Sequence, residues 1–311
     1  MKLKFCCVII LTVILSACNS IRETGVSEDG TVRQVSIPVI GEMEIPAEPE
    51  RVVLMRAMDA GNASLLDADV VGVNASIENS EYIDDDSNVS YLEYGDVDAL
   101  RVLDPDLIVT FSADEYIEEY QDIAPVIPLN YQSDTLNKFR ERIYLNQLLF
   151  LGIVLNQEDT AESLGHEWVD DLVSYRREMT VDTSTLDALV LVQNESESGF
   201  YVYGPYQSYG TEVVYDVLDF NITDSVSELI EQGPVVEHEM ADFSAVDTDY
   251  AVISVRDLSK SSELKSSFAE VLNIDESRVI LVNFDNYIAN DLQSIEKQTE
   301  EIIEQIEEAE H

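Results

Sequence analysis

The stretch Asn156–Met179, NQEDTAESLGHEWVDDLVSYRREM, constrains the chain most. Its apolar residues Ala161, Leu164, Trp168, Leu172, Tyr175 and Met179 recur at helical spacing, and the other faces are charged. Asn156 reads as the N-cap, acids follow in the first turn, and Arg176 and Arg177 suit the negative C-terminal end. A helix of that span is roughly 35 Å long, which is long for an ordinary globular domain. It lies near mid-chain between two stretches that each alternate strand and helix patterns. This predicts a stiff strut between two α/β lobes, each a mainly parallel sheet flanked by helices.

The chain opens MKLK, continues as an apolar run from Phe5 to Leu15, and reads LSAC at Leu15–Cys18. This is the order of a secretory signal peptide, with a run too short to span a bilayer comfortably. Small residues before a cysteine resemble the lipobox of bacterial lipoproteins, which implies acylation at Cys18 and a membrane-anchored, extracytoplasmic protein. Residues 1–18 form the signal segment with its lipobox; Cys6 and Cys7 leave with the signal and Cys18 stays as the lipidated N-terminus, so neither a disulfide nor a thiolate metal site is expected in the mature chain. Residues 19–30 read as a tether.

Charge excludes one class of partner. The 63 Asp and Glu against 17 Lys and Arg leave a net charge of -46, a field that repels nucleic acid. Such acidity fits an exported protein in a salty or alkaline medium.

Thr31–Ile45 reads as a hairpin, Arg51–Met55, Val70–Val73, Asp106–Thr110 and Val126–Leu129 as strands, and Asn62–Leu66, Val97–Leu103 and Glu115–Ile123 as helices. Asn74–Tyr94 is acidic and aperiodic and reads as loop. These place a first lobe at 31–133, and 134–182 holds an amphipathic helix, Asp134–Leu151, and the strut. A second lobe at 183–311 repeats the grammar with strands Leu189–Val192, Phe200–Tyr203, Tyr250–Val255 and Val279–Val282. Its helices are expected at Thr211–Leu218, Ser261–Leu272 and Asn290–Ala309.

Catalytic signatures are thin: G-x-S-x-G, H-E-x-x-H, G-x-G-x-x-G and a Walker loop are all missing. His166, His238 and His311 are too scattered for a histidine-rich metal site, so no metal ligands are assigned. An export signal, two lobes and no catalytic constellation point to a binding protein with a cleft at the strand ends.

GEMEIPAEPERVVLM at Gly41–Met55, and VDALRVLDPDLIVT followed by EEYQDIAPVIPL at Val97–Leu129, resemble ABC-transporter substrate-binding lipoproteins of the iron-siderophore and cobalamin class. YVYGPYQSYGTEVVYDVLDFN at Tyr201–Asn221 and DTDYAVIS at Asp247–Ser254 are similar, more narrowly, to the ferrichrome-type members. The resemblance implies two lobes bridged by one long helix. It also implies no enzyme activity, no cofactor, and a ferric siderophore handed to an ABC permease. On the matching loops it points to Arg56, Tyr116, Tyr131, Tyr203, Gln207, Tyr209, Arg256 and Tyr287 as ligand-binding residues. The tryptophan and arginine usual in the 204–210 turn are replaced by Gln207 and Tyr209, and Arg56 or Arg256 are the cations left to supply a charge. Two cations suit a neutral ferric hydroxamate better than a citrate-type trianion. The family docks on its permease through one acid per lobe: Asp98 matches the first, and in the second lobe the matching position is Ala241, flanked by Glu239 and Asp242, of which Glu239 is taken as the docking acid. The rival expectations are a haem or cobalamin receptor of the same fold, with Met55, Met58 and the loop tyrosines as axial candidates for haem and His238 as a second, and a surface hydrolase.

Overall fold

The structure is a computed structural model that describes residues 22–37, 41–83, 88–129, 138–139 and 142–309. The signal segment, Cys18, Tyr131 and the expected helix start at Asp134 lie outside the described residues.

The chain begins with an antiparallel sheet, β1 (Arg22–Val26), β2 (Val32–Ile37) and β3 (Gly41–Pro46), in the order β1-β2-β3. The hairpin is as expected, but β1 occupies part of the stretch read as tether. Its side chains are mostly exposed, so no apolar periodicity announces it. Buried Arg33 on β2 fixes this sheet to the body by donating to the carbonyls of Ile153 and Val154, at 2.9 and 2.6 Å.

The first lobe is built from β4 (Val52–Leu54), α1 (Ala60–Leu65), β5 (Val70–Asn74), β6 (Ser90–Leu92), α2 (Val97–Leu103), β7 (Leu107–Phe111), α3 (Ile117–Gln121) and β8 (Val126–Leu129). All five strands are parallel, in the order β6-β5-β4-β7-β8, with Val52 opposite Leu107 and Leu54 opposite Val109. Central strands covered on both faces read as continuous apolar runs, as VVL and LIVTF do. Strand β6 lies in the stretch expected to be loop. Three residues at a sheet edge carry too little alternation to stand out. Helix α2 starts on Asp96, whose carboxylate accepts from Ala99 N at 3.1 Å, and stops at Asp104, which turns left-handed (φ 48°).

Helices α4 (Ile143–Val154) and α5 (Glu158–Glu178) follow. Asn156 is not the N-cap of α5: it is left-handed (φ 63°) between the two helices, and Gln157 takes the cap position. Ala161, Trp168 and Leu172 are buried, as the periodicity requires, and Trp168 Nε1 donates to the Tyr144 hydroxyl of α4 at 3.0 Å. That hydroxyl donates to Asp216 Oδ2 (2.7 Å), which also takes Arg142 Nε (2.8 Å), so α5, α4 and the second lobe share one polar anchor.

The second lobe holds β9 (Ala188–Gln193), β10 (Phe200–Val202), a π-helix (Glu212–Val217), α6 (Asp224–Ile230), β11 (Tyr250–Val255), α7 (Ser261–Leu272), β12 (Val279–Asn283), α8 (Phe284–Tyr287) and α9 (Leu292–Ala309). Its sheet runs β10-β9-β11-β12, parallel except for β10. One apolar core runs from β4 and β7 through α4, α5 and α9 to β9 and β11, so the strut is embedded rather than free. The seam between lobes is also polar: Leu292 N donates to Asn62 Oδ1 (3.0 Å), and Glu81 N to Asn286 Oδ1 (2.8 Å).

Candidate ligand-binding site

In parallel sheets the loops at the strand C-termini are left to line a crevice. In the first lobe these loops form a cavity of about 670 Å³ whose wall includes Tyr94, Phe111, Asp114, Glu115, Tyr116 and Leu129. Three of them, Tyr94, Asp114 and Tyr116, are held from behind. The Tyr94 hydroxyl donates to Met55 O at 2.6 Å, and burial pushes its pKa up to about 12, so it stays a neutral phenol. Asp114 accepts from Thr110 Oγ1 (2.5 Å) and from Tyr116 N (2.9 Å), which folds the loop after β7. The Tyr116 ring lies over Gly95 (φ 83°), where a Cβ would come within 2.5 Å of it. Only glycine permits both the turn and the ring.

In the second lobe four side chains stack in series. The Arg256 guanidinium lies 3.8 Å from the Phe284 ring centroid, Phe284 lies 5.5 Å from Tyr209, and Tyr209 lies 5.0 Å from Tyr203. Arg256 follows β11, Phe284 follows β12 and Tyr203 follows β10, so the stack exists because the sheet brings three distant segments together. Burial holds Tyr203 at about 12 and raises Tyr209, whose shift Arg256 opposes. The loop carrying Tyr209 has left-handed backbone at Tyr206, Ser208 and Tyr209 (φ 62°, 66° and 58°), which costs about 1 kcal/mol or more per non-glycine residue.

Of the expected ligand residues, Tyr116 lines the first-lobe cavity, and Tyr203, Tyr209 and Arg256 belong to the second-lobe stack. Three others are placed differently. Arg56 is only 1% exposed, pairs with Asp59 at 3.2 Å and lies behind Phe111, 5.4 Å from its centroid. Burial raises the Asp59 pKa against the opposing effect of Arg56. Gln207 folds back on its own turn, where Oε1 accepts from Gly204 N at 2.9 Å. Tyr287 is fully buried and donates to Gln298 O at 3.2 Å, since α9 covers it. Tyr131 lies outside the described residues. The haem candidates fare no better: Met55 and Met58 are buried, and His238 lies in the core beside Phe243. Among the described residues no group of three or more His, Cys, Asp or Glu is arranged to hold a metal.

Sequence reasoning missed Tyr94 and Phe284. Phe284 directly follows an apolar strand, the position where a parallel sheet presents its site, and that signal was available. Tyr94 follows the short strand hidden in an acidic stretch. The docking candidates Asp98 and Glu239 are both exposed. Asp98 lies in the first turn of α2. Glu239 follows His238, whose backbone pairs with Phe200 opposite the C-terminal end of β9.

The periplasmic binding protein family model matches residues 65–269. The iron(3+)-hydroxamate-binding protein FhuD of Bacillus subtilis (strain 168) is 25% identical over 199 residues, which cover 62% of this chain and 60% of that protein's length. Among solved structures, FhuD2 of Staphylococcus aureus with bound ferrioxamine B superposes with a TM-score of 0.69 at 22% identity, over 85% of this chain and 100% of that one. A FhuD-fold binding protein component of a Fep/Fec-like ferrichrome ABC transporter from Bacillus subtilis gives 0.72 at 22%, over 86% and 98%. Two sheets of mainly parallel strands, an embedded linking helix and a match over most of the chain agree: the chain belongs to the periplasmic binding protein family.

Proposed function

We propose that this protein is an extracytoplasmic receptor, anchored through lipid on Cys18, that captures a ferric siderophore of the hydroxamate type and delivers it to an ABC importer. The observation that carries this reading is the aromatic side chains gathered at the strand ends of each lobe, with the exposed Arg256 guanidinium stacked on Phe284 in the second. Rings supply contact area at low entropic cost and suit a bulky, partly apolar chelate. The phenols are held neutral by burial, so they offer hydrogen bonds rather than charge.

A trianionic citrate-type chelate would approach a net charge of -46 with little local compensation, whereas a neutral ferric trihydroxamate meets no such barrier. The similarity to a hydroxamate-binding protein supports the same choice. Iron arrives inside the ligand's own oxygen cage, so the protein supplies no metal ligands and catalyses no reaction. The test is a calorimetric titration with ferrioxamine B and with ferric citrate. Saturable binding of the first and none of the second is expected, and tight citrate binding without hydroxamate binding would overturn the reading. In cells, Asp98→Arg and Glu239→Arg should impair uptake while leaving affinity unchanged.

A further inference from the structure

Bonded to the 204–210 loop that carries Tyr209 is Glu212, the first residue of the π-helix, only 1% exposed. π-Helical turns are rare and concentrate at functional sites. Glu212 Oε1 accepts from Ser208 N at 3.1 Å and from Asn290 Nδ2 at 2.8 Å. The first bond holds one of the left-handed residues of the 204–210 loop. The second ties that loop to the segment that meets the first lobe, since Asn290 precedes Asp291, which lies against Gly61.

The second oxygen, Oε2, lies 3.2 Å from the Thr211 hydroxyl. That hydroxyl accepts from Gln207 N at 3.0 Å and lies closer to Ser208 O, at 2.9 Å. A hydroxyl has one proton. Given to Ser208 O, it leaves Thr211 Oγ1 as an acceptor toward Glu212, and the carboxyl must then be the donor. The alternative is a carboxylate with no cation acting on it among the described residues, in a site closed to water. A buried anion with no cation beside it is costlier than a neutral acid, and the hydrogen bonds from Asn290, the Glu212 and Ser208 amides and Thr211, which favour the charged form, are outweighed by burial.

We infer that Glu212 is a neutral, protonated positioning residue that clamps the strained 204–210 loop and so presents Tyr209 to the ligand. This rests on the proposed ligand class only for what Tyr209 meets. The clamp itself is independent of it. Burial as the largest influence on Glu212 acts in the same direction. The other charged and titratable groups on the surrounding elements are engaged elsewhere. Asp216 takes Arg142 and Tyr144, Arg176 pairs with Asp219, Asp291 takes Ser294, Glu301 takes Tyr82, and the Tyr287 hydroxyl donates to Gln298 O. Tyr215 donates to Ala188 O, and Tyr209 stacks between Tyr203 and Phe284.

A glutamine reproduces this pattern, with its amide nitrogen donating to Thr211 and its oxygen accepting from Ser208 and Asn290. Glu212→Gln should therefore keep ferrioxamine B affinity within about twofold, whereas Glu212→Ala and Glu212→Asp should weaken it about tenfold. Linkage adds a sign. A carboxyl that must be protonated for the loop to close loses closure as pH rises from the ordinary carboxylate range to its raised value. Affinity of the wild type should fall over that window by more than that of Glu212→Gln, while contributions from Asp59 and Asp291 are common to both.

Two measurements on the purified protein need no ligand. The wild-type minus Glu212→Gln infrared difference spectrum at neutral pH should contain a protonated-carboxyl stretching band, and the Ser208 amide should be protected from hydrogen exchange in wild type and Glu212→Gln but not in Glu212→Asp. Absence of the band, or a glutamine variant as unprotected as the aspartate one, overturns the inference. Failure of every form to bind ferrioxamine B, with band and protection present, removes the proposed ligand and leaves the clamp standing.

Discussion

The Arg256 guanidinium stacks 3.8 Å from the centroid of Phe284 and is exposed on its other side. The ring holds the cation in one plane above the sheet edge, so less side-chain entropy is lost when a ligand oxygen is bound. Arg256→Ala should weaken ferrioxamine B binding by on the order of 1 kcal/mol. Phe284→Leu should cost a similar amount by freeing the guanidinium, and the double variant less than the sum. Calorimetric titration of the four proteins reads this coupling directly.

Gly61 tests the seam between lobes. A Cβ there would lie 1.9 Å from Asp291 Oδ1, in a place where α1 meets the start of α9. Gly61→Ala must push the lobes apart or displace a buried carboxyl, and should destabilise by about 2 kcal/mol or more. A thermal unfolding midpoint equal to that of wild type would show that the contact is soft.

Asp291 gives the stability a pH dependence of defined sign. Burial, with a lesser push from Asp59, raises its pKa from 3.8 to about 6, against the bonds from Ser294 N and Oγ. The folded state thus binds the proton more tightly than the unfolded one. Stability from this group is fully present below about pH 4 and declines as pH rises to about 6, by on the order of 3 kcal/mol. Asp291→Asn keeps an acceptor for Ser294 N and should flatten that interval, as followed by urea denaturation at stepped pH. An unchanged slope would exclude Asp291 as its source.

The anchor under the strut is the fourth test. Asp216→Ala leaves the Tyr144 hydroxyl and Arg142 without their shared acceptor, and should lower stability by about 3 kcal/mol. Tyr144→Phe, which removes the hydroxyl but leaves Asp216 its arginine, should cost less. Equal losses in urea unfolding would mean that the three groups do not act as a network.

Elements whose pattern is written in consecutive residues were legible. Val97–Leu103, Tyr250–Val255 and Ser261–Leu272 have the bounds expected from periodicity, and the buried stripe of α5 is the one its spacing marks. Elements carried by exposed or very short segments were not, as β1 and β6 show. The site divides the same way. Loops at strand ends were identified, and of the residues expected there Tyr116 lines the first-lobe cavity while Tyr203, Tyr209 and Arg256 stack with Phe284. Which way a side chain turns within such a loop depends on residues far away in sequence.

The sequence by itself therefore determined the two-lobed α/β plan, the linking helix and the acidic character of the chain, because these follow from local periodicity and composition. Only the tertiary structure decided that Arg56 is spent on Asp59 behind Phe111, that α9 seals Tyr287 into the core, and that Phe284 joins Arg256 and Tyr209 in one stack. Burial and partnership are properties of packing between distant segments, and no window along the chain contains both members of such a contact.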